Sequence, residues 1–218
     1  MRTQLTGGHV MATLLHISAS PRGERSESLT LAKHFLKVYG ELHPDDDIVE
    51  WDLWDGTLPA FGPPAAAAKM AVFAGRTPTG EDAAAWAAAE AAYERFAAAD
   101  KYLFSVPMWN SGVPYVLKQF IDVVSQPGMV FSFDGELGYT GLVTGRKAAV
   151  VYTGAVYGEG RGPAFGADFQ APFFDNWLRW AGITDITSVE FRPNLATPDA
   201  DERRDRALAE ATEAAKTF

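Results

Sequence analysis

Short apolar runs alternate along the chain with longer segments in which apolar residues recur every three or four positions. Residues 12–18 (ATLLHIS), 101–106 (KYLFSV) and 148–153 (AAVVYT) are compact apolar runs bounded by turn residues, the mark of strands buried on both faces. Residues 48–53 (IVEWDL) and 186–191 (ITSVEF) alternate and predict two further strands. Leu29, Ala32, Lys33, Phe35 and Leu36 open a striped helix that runs to about His43, where PDDD breaks it. Residues 81–99 (EDAAAWAAAEAAYERFAAA) predict a helix by propensity, with acidic residues in its first turn. Further helices are predicted over 115–125, over the aromatic-rich 165–181, and from about residue 199 to the end. The stretch between the second strand and the 81–99 helix holds too many prolines and glycines for a central strand, but its Ala-rich middle suits a short helix. Residues 126–147 predict a hairpin or extended excursion.

Strands and helices alternate five times, which demands an α/β fold: a five-stranded parallel sheet with helices on both faces, a three-layer sandwich. A length of 218 residues with 47% hydrophobic and 22% charged content suits one such domain. There is no internal repeat. Residues 1–11 are expected to be an extension outside the fold, leaving 12–218 as the single domain. MRTQLTGGHV at the start lacks the apolar core of a signal peptide.

A net charge of −9 argues against a general binder of nucleic acid or of anionic membranes. No apolar run approaches the roughly 18–20 residues of a membrane span. The chain has no cysteine, which excludes disulfides, thiolate metal sites and cysteine nucleophiles and fits a cytoplasmic protein. His9, His16, His34 and His43 fall on the leading segment, a strand, a helix and a helix end. They form neither an acid–base nor a metal constellation, so ordinary structural roles are expected and no metal site is assigned.

In an open parallel sheet, ligands bind beyond the C-terminal ends of the strands. The loops after the first, third and fourth of the five strands all have unusual composition. The first, SASPRGERSES, places Ser26 and Ser28 at a helix entry, where backbone N–H groups lack partners and the dipole favours negative charge. With the Ser20 hydroxyl, the charges of Arg22 and Arg25 and a turn at Gly23, this suits a terminal phosphate better than simple helix capping. G-x-x-x-x-G-K-[ST] is absent, and so is G-x-G-x-x-G after the first strand; a Ser-rich turn of this kind fits a flavodoxin-like mononucleotide site. The second loop, PMWNSGVP, offers an apolar shelf, Met108 and Trp109, followed by Asn110, Ser111 and Gly112 between two prolines, which suits a flat heteroaromatic ring. The third brings Thr153 and Gly154, with Tyr157 behind them; residues 158–162 read as a plain surface turn.

At these loops the chain resembles the FMN-dependent NADH-azoreductases and NAD(P)H:quinone oxidoreductases of flavodoxin-like fold. The resemblance rests on Ser26-Glu27-Ser28 with Ser20 upstream, and on Pro107-Met108-Trp109-Asn110 followed by Leu117-Lys118-Gln119-Phe120-Ile121-Asp122. GLVTGRKAAVV and WLRWAGITDI resemble family segments as well, so the likeness covers about residues 12–195. It implies an FMN enzyme that takes hydride from NADH or NADPH and passes electrons, in ping-pong fashion, to a quinone or azo compound. It also implies a homodimer with the flavin at the subunit interface, and apolar surface in FQAPFFDNWLRW and GMVFSF is compatible with that. The cofactor contacts it implies are Ser20, Ser26, Glu27 and Ser28 for the phosphate, then Pro107, Met108, Trp109, Asn110, Ser111, Thr153, Gly154, Ala155 and Val156. No catalytic side chain is implied. Glu27 stands where glutamine is frequent and is expected to offer its backbone N–H while its carboxylate points away. Ser111 replaces a common aromatic, implying a more open substrate side; Thr153 to Val156 depart furthest from the family's turn. The alternatives are a flavodoxin-like electron carrier or non-enzymatic flavin-binding protein, against which the long decorated loops argue, and a serine hydrolase, for which no G-x-S-x-G elbow exists.

Overall fold

The computed structural model describes residues 11–195 and 197–218; residues 1–10, with His9 and nearly all of the expected extension, lie outside them. Seven strands and six α-helices follow in the order β1 (Thr13–Ser18), α1 (Glu27–Leu42), β2 (Asp47–Asp52), α2 (Pro63–Phe73), α3 (Gly80–Ala97), β3 (Lys101–Pro107), α4 (Tyr115–Val124), β4 (Phe131–Asp134), β5 (Gly138–Gly141), β6 (Lys147–Thr153), α5 (Ala171–Ala181), β7 (Asp185–Phe191) and α6 (Ala200–Lys216). Five of the strands make one parallel sheet, ordered β2-β1-β3-β6-β7. β4 and β5 pair separately as the antiparallel hairpin expected within 126–147.

Side-chain alternation along the central strands divides the apolar residues between two cores. Leu15, Ile17, Tyr102, Phe104, Val106, Val150 and Tyr152 face Ala92 and Phe96 of α3, Leu117 and Phe120 of α4, and Phe174, Trp177 and Leu178 of α5. Leu14, Leu103, Ala149, Val151, Val189 and Phe191 face Leu31, Phe35 and Tyr39 of α1 and Ala207 and Ala211 of α6. This is the expected three-layer sandwich. β2 is an edge strand whose side chains are mostly exposed, and it carries Asp47, Glu50 and Asp52, charges that discourage another chain from pairing there. The Ala-rich stretch does form a helix, α2, opened by Pro63 and Pro64 in its first turn, the place in a helix that tolerates proline. The β4–β5 hairpin docks on the end of α5. A Cβ added to Gly141 would lie 2.4 Å from the Gly182 nitrogen, so the close approach needs glycine there.

One expected helix is shorter than its pattern suggested. The aromatic spacing predicts a helix over 165–181, but α5 begins at Ala171. Residues 163–165 form a single 3-10 turn, and Gly166 follows at φ +96°. Asp168 then accepts from the N–H groups of Gln170 (2.9 Å) and Ala171 (3.1 Å), and Pro172 occupies the first helical turn. The aromatic side chains before Ala171 belong to a loop that reaches back toward β3.

Candidate functional site

β1, β3 and β6 are the three central strands, so the loops leaving their C-terminal ends emerge side by side. Ser18 pairs in register with Ser105, and Pro107 with Thr153. Just past the strands, the Ala19 N–H donates to the Ser105 carbonyl (3.0 Å) and the Met108 N–H to the Thr153 carbonyl (2.7 Å).

The β1 loop turns through Gly23 at φ +54° into a short 3-10 segment and enters α1 at Ser26. Ser26 Oγ accepts from the Leu29 N–H at 3.3 Å, so it does cap the helix. The same oxygen lies 3.1 Å from Ser28 Oγ. Ser20, Ser26 and Ser28 are all buried, and Ser20 Oγ has no hydrogen-bond partner. A buried hydroxyl left unpaired costs about 1–3 kcal/mol, which an incoming acceptor would relieve. Arg22 and Arg25 are exposed. Glu27 turns its carboxylate to Arg204 of α6 (2.7 Å), leaving its backbone as the part near the serines.

Trp54, just after β2, joins this loop to the next. Its indole N–H donates to the Ala19 carbonyl (3.0 Å), and its ring lies 5.7 Å from that of Trp109 and 5.1 Å from that of Tyr115. Nothing in its local pattern had marked Trp54; only its place after a strand end could have. Trp109 and Met108 are half-buried, which leaves one side of the predicted shelf open. Trp109 and Gly112 exchange both backbone hydrogen bonds at 2.9 Å around a two-residue turn. Asn110 and Ser111 at its tip have φ +49° and +68°, the left-handed region that non-glycine residues seldom occupy. Strain of this kind gathers at ligand sites.

The β6 loop runs Thr153, Gly154, Ala155, Val156, with Thr153 and Gly154 buried and Ala155 and Val156 exposed. It faces the β3 loop across a cavity of about 220 Å3 lined by Met108, Asn110, Ser111, Ala155, Val156, Tyr157 and Phe165. Two of the three loops singled out in the sequence thus form walls of one cavity. Residues 158–162 do turn, with the Arg161 N–H on the Gly158 carbonyl (3.1 Å), but the turn is not wholly a surface feature. Gly158 is buried, and a Cβ there would meet Pro193 Cδ at 2.4 Å.

Behind these loops lies a network that sequence reasoning missed. The buried side chain of Gln170 donates through Nε2 to the Val106 carbonyl (2.7 Å) and reaches the Thr153 carbonyl (3.4 Å). Arg192, its side chain only 5% exposed, pairs with Asp168 (2.8 Å) and Glu190 (2.6 Å). Burial alone would lower the Arg192 guanidinium, but the hydrogen bonds and charges of Glu190 and Asp168 outweigh it and hold the group above its ordinary value. A cavity of about 670 Å3 runs along the β7–α6 edge, where Arg192, Arg203 and Arg206 are matched by Glu159, Glu190 and Glu210.

His16 sits buried on β1, with Nε2 2.7 Å from Ser105 Oγ and no partner at Nδ1. Burial, helped by the charge of Lys33, pushes its pKa down to about 4 from 6.5. The native state therefore keeps His16 neutral while the unfolded chain takes up a proton near pH 6.5. The resulting stability is fully present above that pH and is lost as pH falls toward 4, up to about 3 kcal/mol. Urea titrations at about pH 7 and pH 4.5 should show His16→Gln losing about 2–3 kcal/mol less than the parent over that interval. Equal losses would mean that the native imidazole accepts a proton freely. His34 bonds Thr212 Oγ1 (2.8 Å), and the His43 ring packs at a tilt against that of Tyr39 (4.5 Å between centroids).

A model for a family of flavodoxin-like fold matches residues 12–215. This chain belongs to the flavodoxin-like family. The flavodoxin-like protein is 44% identical over 204 residues to an FMN-dependent NADH:quinone oxidoreductase of Ruegeria pomeroyi, covering 94% of this chain and all of that one. It is 46% identical over 211 residues to a protein of the same name from Nitratidesulfovibrio vulgaris, covering 95% and all of it. Among solved structures, an azoreductase from Bacillus anthracis superposes with a TM-score of 0.87 at 30% identity, over 95% of this chain and all of that one.

Proposed function

We propose that this flavodoxin-like protein is an FMN-dependent oxidoreductase that passes electrons from NADH or NADPH to quinones and azo compounds. The observation that carries the reading is the juxtaposition of a buried serine cluster, including the unpartnered Ser20 hydroxyl, with a cavity walled by the Met108–Ser111 and Ala155–Tyr157 segments. The names of the relatives, matched over nearly their whole length, agree with it.

In this reading residues 12–218 are one FMN-binding domain. Ser20, Ser26, Ser28 and the Glu27 N–H hold the phosphate, aided by the dipole of α1. Pro107, Met108, Trp109, Asn110 and Ser111 take the ring from one side, and Thr153, Gly154, Ala155 and Val156 from the other. FMN, when bound, would supply the two-electron redox chemistry linking the nicotinamide nucleotide to the acceptor, with the two substrates reacting in turn in a ping-pong cycle. The chain's own part is to bind, orient and shield: Trp109 and Tyr157 bring aromatic faces to the site, and the 110–111 turn presents backbone N–H groups at fixed positions.

The same reading includes a cytoplasmic homodimer. In the aromatic segments most of the apolar bulk is core, Phe131, Phe174 and Trp177 among it. Phe133 and Phe169 nevertheless remain 56% and 67% exposed, and Phe73 at the end of α2 and Tyr139 of the hairpin are exposed too. No helix among the described residues is long and apolar enough to cross a membrane.

The test is optical. Protein mixed with FMN should show bound-flavin absorbance that NADH bleaches without air and that a quinone restores. Bound FMN left unreduced by NADH would point to an electron carrier; a folded protein that binds no FMN would end the proposal.

A further inference from the structure

We infer that Gln170 is a positioning residue that sets the spacing of the two ring-side loops, an inference that rests on the FMN reading above. β3 and β6 are paired only as far as Pro107 and Thr153, after which their chains part around the cavity. Gln170 stands at that fork. Its Nε2 donates to the carbonyl of Val106 on one strand and reaches that of Thr153 on the other (2.7 and 3.4 Å), and its Oε1 accepts from Arg192 Nη1 (3.2 Å). Asp168 completes the circuit, accepting from Arg192 through one oxygen and from the Gln170 and Ala171 N–H groups through the other. The adjoining Phe169 N–H donates to the Ser111 carbonyl (2.9 Å). Three consecutive residues therefore hold both walls of the cavity, although none of the three lines it.

Stability alone does not account for this arrangement. A buried polar network replaced by apolar side chains of similar volume is often neutral or better. What an apolar residue cannot do is fix two carbonyls from different strands at one distance, because dispersion contacts have no direction while hydrogen bonds do. The phosphate serines belong to the β1 loop, outside this network, so phosphate binding and ring placement are separable.

Gln170→Met fills nearly the same volume and removes all three hydrogen bonds. It should bind FMN within about threefold of the parent, yet show a shifted bound-flavin absorption band and be reduced by NADH at least about tenfold more slowly in stopped flow. Gln170→Glu keeps the shape and the Arg192 contact but sets an acceptor against two carbonyls. Its flavin band should be displaced further from that of the parent than the band of Gln170→Met, because a carboxylate held ionised by Arg192 repels both carbonyls. If both variants keep the parent's flavin spectrum and reduction rate and change only in melting temperature, Gln170 is merely structural and the inference is overturned. If the parent itself binds no FMN, it is the site reading that fails, and this inference falls with it.

Discussion

Alanine at both Ser26 and Ser28 is expected to lower FMN affinity roughly 10²- to 10⁴-fold, since a hydrogen bond to a charged group contributes about 1.5–3 kcal/mol and two are removed. The two hydroxyls sit 3.1 Å apart at the start of α1, close enough to grip the oxygens of one phosphate. Ser26 also caps the helix through the Leu29 N–H, so the double variant should lose about 1 kcal/mol of stability besides. Riboflavin separates the two effects. It carries the ring without the phosphate, so the substitutions should leave its affinity nearly unchanged and abolish most of the preference for FMN over riboflavin. Titrations of flavin fluorescence with both ligands give the comparison. An unaltered preference would place the phosphate elsewhere.

Phe120→Ala is expected to cost about 3–5 kcal/mol, the range for emptying a large aromatic site in a packed core. Phe120 is fully buried on α4, with edge-on contacts to Trp51 (5.5 Å), Phe96 (5.6 Å) and Trp177 (5.9 Å). Those partners come from β2, α3 and α5, so the ring ties together elements distant in the chain, and no single neighbour can move to fill the gap. For a protein of this size the melting temperature should fall by roughly 6–20 °C. FMN should still bind the folded protein at 20 °C, because none of the ring's contacts belongs to the three strand-end loops. A loss below about 3 °C would mean that α4 repacks onto the sheet at little cost.

The strands were legible because β1, β3 and β6 are buried on both faces and so appear as unbroken apolar runs. The three loops stood out because Ser, Pro, Gly and aromatic residues crowd where connectors are ordinarily plain. Two features left no such trace. Gln170 is a single amide in an aromatic-rich stretch, and its partners Val106, Thr153 and Arg192 are 64, 17 and 22 residues away. Only the sheet register brings them together, and no local periodicity encodes register between distant strands. The start of α5 was misplaced for a related reason: aromatic residues at helical spacing look alike in a loop and in a helix, and the deciding signals were Gly166 and the Asp168–Pro172 cap. Asn110 tolerates the left-handed turn it occupies, but Ser111 at φ +68° is a choice that turn preferences would not predict.

That pair of left-handed residues also restricts how this protein can diversify. A β-branched side chain at position 110 or 111 would strain the backbone before it met any ligand, so this corner of the cavity is closed to valine, isoleucine and threonine. Tyr157 and Phe165 line the same cavity without that restriction. A lineage selected for a new acceptor could place β-branched side chains at those two positions but not at the Asn-Ser corner.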